Sequence, residues 1–323
     1  FVYDSLGRVV EESQQIGSMS PRVTSSAWRS DNLRSGLTYP NGRRINFSFD
    51  LDDRLDTITE VTTGELLIGY SYIGGGNRVL ERHHLTNGTR LTSLNDAGDQ
   101  NVGYDGLGRV IQQRHMTSDD TLIVGTTNAY DRVNNRTAEL KLHAAVESEL
   151  IALDSAYRLT SFQRGELNGT LDTIVTPSGN APFRNDWTLD GVGNWTAVDG
   201  ESREHTNFNE IAIQDDGQGN VTTLDHDDNG NQTDSGANVN TWDSFNRLRT
   251  ISVRQPDVTL VGTYLYDALN RRIRKSVTNS PGLDGTTDFL YDGWRVIEER
   301  DGELDQPTTQ FVYGNGIDEI LLA

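Results

Sequence analysis

The octapeptide YDSLGRVV, which runs from Tyr3 to Val10, recurs as YDGLGRVI from Tyr104, WDSFNRLR from Trp242 and YDALNRRI from Tyr266. Each copy has an aromatic residue first, Asp second, Gly or Asn fifth and Arg sixth. A motif that returns in this way is typical of repeat architectures, in which each copy is one supersecondary unit. The fold therefore depends on the structure of this unit and on how neighbouring units pack.

Weaker copies lie between these four and after the last of them, mostly at intervals in the twenties. They are FDLDDRLD from Phe49, YIGGGNRV from Tyr72, YDRVNNRT from Tyr130, LDSAYRLT from Leu153, LDGVGNWT from Leu189, DDGQGNVT from Asp215, HDDNGNQT from His226, YDGWRVIE from Tyr291 and YGNG from Tyr313. About a dozen copies thus cover residues 1–323, with no linker between them. We expect a single repeat region that is a fragment of a longer chain, because Phe1-Val2-Tyr3 leads directly into a repeat turn.

The repeat has the chemistry of a tight turn. Asp suits the first position of a type I turn and Gly the fourth, and an Asp carboxylate can accept from the backbone N–H two residues later. A positive φ in the Gly slot would close a bulged hairpin. This slot holds Gly7, Gly108, Gly193, Gly219 and Gly230, or else Asn134, Asn246 and Asn270. Tyr157 also occupies the slot, for no reason visible in the sequence, and Asp292-Gly293 suits a two-residue type I′ turn.

The flanks of the turns have the pattern of strands. Arg44 to Phe49 alternates, with Ile45, Phe47 and Phe49 on one face, and the stretches 263–266 and 288–291 also place aromatic residues two apart. The sequence predicts an all-β fold of repeated antiparallel β-hairpins that form one curved, spiralling sheet, either a closed shell or an open spiral. For residues 138–153, the sequence is compatible with a helix as an alternative to a hairpin.

Composition excludes several classes of protein. The chain has 28 Lys and Arg against 48 Asp and Glu, a formal net charge of −20, which argues against nucleic-acid binding through phosphates. It has no Cys, which excludes disulfide scaffolds and cysteine nucleophiles. No apolar run is long enough for a membrane span.

The phased Tyr-Asp-x-x-Gly-Arg and Gly-Asn copies resemble the YD-repeat, or Rhs-repeat, family. This family includes bacterial Rhs toxins, wall-associated proteins, the shell component of Tc toxins and the animal teneurins. The resemblance implies a β-cocoon whose wall encloses the protein's own C-terminal toxic domain. The resemblance assigns no autoproteolytic residue to this chain, because no Asp-Pro pair occurs in the sequence.

We therefore expect a structural shell segment of a secreted or surface-displayed bacterial protein that encapsulates or presents a C-terminal effector. One alternative is a cell-surface adhesin or filament subunit that binds glycans, or binds itself through exposed strand edges. An enzyme is a further alternative, although no catalytic constellation is apparent in this segment. The expected partners are the cargo domain and surface glycans, with no nucleic acid and no membrane.

The candidate site residues fall into two groups. Asp225, Asp227, Asn229 and Asn231 follow the first half of an EF-hand-like loop and suggest calcium as the one candidate cofactor, although Gly236 stands where a bidentate Glu is expected. A solvated hairpin turn is the alternative for the same residues. The second group is the repeat signature, expected to be structural: Tyr3, Asp4, Gly7, Arg8, Tyr104, Asp105, Gly108, Arg109, Tyr130, Asp131, Trp242, Asp243, Tyr266, Asp267, Arg271, Tyr291 and Asp292.

Overall fold

The computed structural model describes residues 1–94, 103–176, 183–254, 257–316 and 318–323. Within these ranges the regular structure consists of strands and a single 3-10 turn at Ala145–Glu147. The strands are β1 (Val2–Tyr3), β2 (Val9–Gln14), β3 (Arg22–Trp28), β4 (Arg34–Thr38), β5 (Arg44–Phe49), β6 (Leu55–Glu60), β7 (Leu66–Tyr72), β8 (Val79–His84), β9 (Thr89–Thr92), β10 (Gln112–Met116), β11 (Leu122–Tyr130), β12 (Arg136–Lys141), β13 (Glu149–Leu153), β14 (Leu159–Arg164), β15 (Glu166–Leu167), β16 (Ile174–Thr176), β17 (Arg184–Leu189), β18 (Trp195–Val198), β19 (Glu201–His205), β20 (Ile211–Asp215), β21 (Val221–Thr223), β22 (Asp225–His226), β23 (Gln232–Asp234), β24 (Asn238–Trp242), β25 (Leu248–Val253), β26 (Thr259–Tyr266), β27 (Arg272–Val277), β28 (Gly285–Asp292), β29 (Arg295–Asp301), β30 (Gln306–Gln310), β31 (Val312–Tyr313) and β32 (Ile320–Leu322).

Almost every strand pairs antiparallel with the next one along the chain. A 19-stranded meander runs from β1 to β21, in which β14 pairs directly with β17 while β15 and β16 form a separate small hairpin. A nine-stranded meander follows from β22 to β30, and β31 pairs with β32. The predicted all-β class with long antiparallel sheets is confirmed, and the sheets do not close into a barrel.

The helix considered for residues 138–153 is wrong. This stretch contains the end of β12, the short 3-10 turn and the whole of β13, and Ala138 pairs with Leu150 across the two strands. Pairing with β11 and β14 on the two sides overrides the local helix propensity of the Ala-rich segment.

The repeat turns share one backbone geometry. In the first, the N–H of Gly7 donates to the carbonyl of Asp4 over 3.0 Å, and Gly7 has a φ of 77°. The strand register shifts by one at the aromatic residue before the turn, as between Ala129 and Tyr130. A type I turn followed by a left-handed residue gives such a bulged hairpin. Where Gly is absent the slot keeps a positive φ, at Asn134, Asn246, Asn270 and Tyr157.

The end of the chain packs against its beginning, and the main hydrophobic core lies between them. Early strands contribute Leu37, Tyr39, Ile45, Leu55, Ile58, Leu67, Ile68 and Tyr70, and late strands contribute Ile297, Val312 and Leu321. Between these regions, strands such as β17 and β19 alternate exposed and half-buried residues. The sheet is therefore a thin wall that becomes two layers thick where its ends overlap.

Polar contacts join the two layers of this overlap, which we call the seam. The amide of Gln14 donates to the carbonyl of Phe289 over 2.6 Å, and the hydroxyl of Tyr39 donates to the carbonyl of Phe311 over 2.7 Å. These pairs are 275 and 272 residues apart in sequence. Ion pairs also cross the seam, between Arg22 and Asp305, Arg34 and Asp292, Arg82 and Glu319, and Glu12 and Arg271.

The seam explains one failed expectation. The stretch 288–291 of β28 was predicted to alternate, but Asp288, Phe289, Leu290 and Tyr291 are all buried. Strand β27 pairs with β28 only as far as Asp288, so later backbone carbonyls need other partners. Side chains from β2 and β3 reach two of these carbonyls, those of Phe289 and Tyr291, and so cover the strand.

We predict that Tyr157→Gly stabilises the protein by about 1 kcal/mol, because a left-handed φ of 62° costs a residue with a Cβ about 1–2 kcal/mol. Little contact is lost, since Tyr157 is largely exposed. Urea denaturation followed by circular dichroism measures the effect. Ala156→Gly is the control and should be destabilising, because there glycine only adds freedom to the unfolded chain. Equal effects of the two substitutions would contradict the prediction.

We also predict that the ion pair between Glu12 and Arg271 stabilises the seam. Both side chains are about 5 % exposed, and their charged atoms lie 2.6 Å apart. Arg271→Met should cost about 3–5 kcal/mol, because it leaves the buried Glu12 carboxylate without its cation. Glu12→Met should cost less, because Arg271 keeps Asp267 as an ion-pair partner. The double variant should cost less than the sum of the two.

Denaturation of all three variants measures this coupling. The neighbouring, exposed Glu11 provides a matched control, and Glu11→Met should change stability by less than about 0.5 kcal/mol. Strict additivity of the two single substitutions would show that the pair does not act as a unit.

Candidate functional site: the linked row of turns

The repeat turns lie along one edge of the sheet, because successive hairpins in an antiparallel meander turn on alternate edges. We call this row the turn rim. It consists of the turns at 4–8, 29–33, 50–54, 73–78, 105–109, 131–135, 154–158, 190–194, 206–210, 227–231, 243–247, 267–271 and 292–295. The repeat signature residues belong to this row.

Within a turn, the Asp carboxylate makes a clasp. Oδ1 of Asp105 accepts from the backbone N–H groups of Leu107 and Arg109, each over 2.9 Å, and Oδ2 accepts from Nε of Arg109 over 2.6 Å. The same clasp joins Asp4 to Arg8, Asp50 to Arg54, Asp154 to Arg158, Asp243 to Arg247 and Asp267 to Arg271. The backbone N–H and then the guanidinium of Arg8 lower the pKa of Asp4. The carboxylate is thereby held in the charged form that the clasp requires.

The same Arg also reaches the next turn. Nη1 of Arg109 donates to the carbonyl of Asp131 over 3.0 Å and to Oδ1 of Asn134 over 3.1 Å. Arg8, Arg54, Arg158, Arg247 and Arg271 make equivalent bonds to carbonyls of the turns that follow them. One side chain therefore closes its own hairpin and fixes the position of its neighbour.

Asn replaces Arg in the Gly-Asn copies and keeps both bonds over a shorter reach. Nδ2 of Asn194 donates to Asp190 over 2.9 Å and to Oδ1 of Asn209 in the next turn over 3.0 Å. Asn231 does the same with Asp227 and Asn246. The two variants of the repeat thus make the same pair of links, one within the turn and one to the next turn.

In most copies an aromatic residue precedes the Asp and adds a third link. The hydroxyl of Tyr130 donates over 2.8 Å to the carbonyl of Val110, which directly follows the Arg of the preceding clasp. Tyr72, Tyr104, Tyr291 and Tyr313 contact the equivalent carbonyl, as do the indole N–H groups of Trp28 and Trp242. The Arg109 guanidinium lies 4.7 Å from the centre of the Tyr130 ring, within the range of a cation–π contact. Burial raises the pKa of Tyr72 to about 12, which keeps this hydroxyl a donor.

Some signature residues depart from this scheme. Tyr3 is exposed in β1, at the start of the row. Asp131 clasps Asn135 instead of an Arg, and Asp292 pairs with Arg34 across the seam.

The sequence motif alone did not identify the second role of the Arg, although its fixed place after the Gly or Asn was a signal. Glu12, Gln14 and Thr24 carried no local signal, because their partners lie about 270 residues away.

The calcium candidates occupy one of these turns. Asp227 accepts from the N–H groups of Asn229 and Asn231, while Asp225 pairs with Asp234 at the start of the hairpin. The carboxylate oxygens of Asp227 and the amide of Asn231 thus take part in the clasp. In the described part of the chain, no group of three or more His, Cys, Asp or Glu side chains is arranged to hold a metal ion. No described helix is long and apolar enough to cross a membrane.

Comparison with known proteins shows which folds and sequences the chain resembles. No protein-family model matches the sequence. In solved structures, the chain resembles a TcdB2–TccC3 complex with a TM-score of 0.64 at 15 % identity, over 96 % of this chain and 17 % of that one. It also resembles the Tc holotoxin pore of Photorhabdus luminescens with a TM-score of 0.61 at 15 % identity, over 90 % of this chain and 15 % of that one. At such identities the likeness is one of fold.

The proteins related in sequence match shorter stretches of this chain. The tRNA nuclease WapA of Bacillus subtilis strain 168 is 29 % identical over 154 residues, which are 46 % of this chain and 6 % of the relative. The tRNA(Glu)-specific nuclease WapA of Bacillus subtilis subsp. natto is 31 % identical over 97 residues, 29 % of this chain and 4 % of the relative. The chain thus spans only a small part of the proteins that it matches.

The calcium interpretation stays a prediction, and thermal unfolding tests it. If the Asp225–Asn231 loop binds calcium, millimolar Ca²⁺ should raise the unfolding temperature, since a ligand bound only to the folded state stabilises it. Asp225→Asn should abolish the effect, because Asp225 lies outside the clasp. Asp216→Asn, in a turn without the D-x-D-x-N pattern, is the control. An unchanged unfolding temperature in Ca²⁺ would favour the interpretation of this turn as a solvated hairpin.

Proposed function

We propose that residues 1–323 form a wall segment of a YD-repeat, or Rhs-type, shell. In this role the wall encloses or presents an effector domain that belongs to the same protein and lies outside this segment. The observation that carries the proposal is the seam, where residues 12–82 meet residues 271–319. An open sheet would leave its two ends apart, whereas this chain returns on itself, which supports a wall that encloses.

The turn rim supports the same role. Most repeats are joined to the next through an Arg or Asn, an aromatic residue or both, so the wall keeps its shape without a core behind every strand. A wall of this kind excludes solvent, proteases and other proteins from what it encloses. The fold shared with TcdB2–TccC3 and the partial match to WapA nucleases favour a toxin-associated protein, and with it a secreted or surface-displayed one.

We assign no reaction to this segment. The WapA relatives are named as nucleases, but the match covers 6 % of their length at 29 % identity. If purified residues 1–323 cleaved RNA, a peptide or a glycan, this part of the proposal would be wrong.

The test uses the natural full-length protein that contains this segment. Limited proteolysis should leave the effector domain intact while the wall is closed. Arg34→Asp should expose it, since this substitution sets two carboxylates against each other at Asp292 on the seam. Adding Asp292→Arg restores the opposite charges and should restore protection.

Arg44→Asp, at an exposed position of the neighbouring strand β5, is the matched control and should leave protection unchanged. Cleavage of the effector domain at the same rate in every variant would contradict encapsulation. If the same protein instead bound glycans or host cells through the repeat region, the adhesin alternative would be favoured.

A further inference from the structure

The wall changes its strand pairing at Leu224, the single residue between β21 and β22. Up to this residue the chain pairs with β20, and the N–H of Leu224 donates to the carbonyl of Ala212 over 2.9 Å. From Asp225 onward the chain pairs with β23 instead. In most strands some residues pair on both sides, as Ala138 does. Among the described pairings no residue from 221 to 226 does so, and the two long sheets therefore meet at one point of the backbone.

The links of the turn rim are also missing at this junction. The turn at 206–210 has Glu210 where other copies have Arg or Asn, and its carboxylate accepts from a hydroxyl within its own turn over 3.0 Å. In the next turn His226 stands in the aromatic slot, and it makes no described hydrogen bond to the carbonyl of Ile211, the equivalent acceptor. In the described structure, neither kind of link therefore joins the turns at 206–210 and 227–231.

Other weak points of the wall keep one of these two supports. Strand β17 also changes partner midway along its length, but there Arg158 donates to the carbonyl of Asp190 in the next turn. The turns at 131–135 and 154–158 share no described hydrogen bond, but β12, which pairs on both sides, lies between them. The Leu224 junction lacks both the continuous ladder and the link between turns.

A cleft of about 760 Å³ lies at the junction, between the turns at 206–210 and 227–231. Its described lining contains neither Lys nor Arg. Carboxylates line it from both turns, Glu210 from the first and Asp227 and Asp228 from the second. Because like charges repel one another, the electrostatics of the cleft favour separation of its two sides.

Away from the turn rim the two sides of the junction are in contact. Gly236, which follows β23, lies so close to β21 that an added Cβ would be 2.6 Å from Cγ2 of Thr222. No residue from 201 to 240 is buried, so no core stiffens the wall here. Regions with few buried contacts are those that open at low free energy. The junction thus has a pivot on one side and free space on the other.

We propose that the wall hinges at Leu224. In this motion β1–β21 and β22–β32 turn as two bodies about the contact between Thr222 and Gly236, and a few backbone residues absorb the change. The two bodies also meet at the seam, through pairs such as Glu12 with Arg271. The seam holds them closed, and Leu224 is the point about which they open. The hinge does not depend on the proposed effector, since any parting of the seam requires the wall to bend.

Spin-label distances test the hinge in the 323-residue chain, which has no cysteine of its own. The junction pair of labels is placed by Phe208→Cys and Asn229→Cys. The matched pair, placed by Phe245→Cys and Leu269→Cys, spans two turns that Arg247 joins. All four residues are exposed and stand two positions after the first residue of their turns. In the otherwise unchanged chain, the distance distribution of the junction pair should be about twice as broad as that of the matched pair.

Arg34→Asp then parts the seam, because it sets two carboxylates against each other at Asp292. The junction distance should lengthen by about 5 Å, the spacing of one strand, while the matched distance stays constant. A third pair, Ser13→Cys with Lys275→Cys at exposed positions of the two layers, reports the parting itself. A junction distance that stays fixed while the seam distance lengthens would overturn the proposal. Equal widths of the junction and matched distributions in the unchanged chain would also overturn it.

A second experiment supplies the missing link. Thr206→Asp with Glu210→Arg makes this turn resemble the DSFNR turn at 243–247. The introduced guanidinium should reach the carbonyl of Asp227, as the Arg of other clasps reaches the turn that follows it. The junction distribution should then narrow to the width of the matched pair, and it should stay narrow when Arg34→Asp is added.

Thr206→Asp with Glu210→Ala is the control for this variant. It removes the same carboxylate from the cleft but supplies no donor that could reach the next turn, so the junction distribution should stay broad. Equal narrowing in this control, or no narrowing in the Arg variant, would contradict a hinge that depends on the missing link.

Discussion

The carboxylate of the repeat Asp is the group on which the rest of the structure depends. It fixes the turn by accepting from two backbone N–H groups, and it aims the Arg or Asn four residues later. An aimed guanidinium can also reach the next turn, because its planar fork directs one edge at the carboxylate and another at the neighbouring carbonyl. The Asn amide reaches the next turn over a shorter distance. Local turn chemistry thus sets the position of the following repeat, and the curve of the sheet is built up turn by turn.

The seam is stabilised by contacts between residues that are far apart in sequence. Along the wall each repeat meets only its neighbours, as in other repeat proteins, so stability there is a sum of short-range contacts. At the seam, residues far apart in sequence meet, and the apolar core between the layers supplies burial that the single-layer wall lacks. The ion pairs and side-chain caps around that core, such as Gln14 on the carbonyl of Phe289, fix the register of one layer on the other.

The sequence predicted well what neighbouring residues determine. The all-β class follows from turn chemistry and alternation, both of which act over fewer than ten residues. The helix alternative for residues 138–153 failed because pairing with the neighbouring strands overrides the local helix propensity. By contrast, no local pattern in Glu12, Thr24 or Arg34 indicates that each meets a residue more than 250 positions later. Alternation also failed in β28 for this reason, since a strand covered by a distant layer loses its exposed face.

Links between neighbouring turns stabilise the wall, whereas contacts between distant residues stabilise the seam. If the wall relies on neighbour links alone, a defect in one clasp loosens a turn and its neighbour while distant hairpins keep their pairing. A defect at the seam acts otherwise, because it separates two layers that are not joined by a backbone ladder among the described strands. The seam is therefore the place where a small change in charge can separate the two ends of the wall. The wall, in contrast, tolerates variation such as Asn for Arg or Trp for Tyr as long as a donor still reaches an acceptor of the neighbouring turn or hairpin.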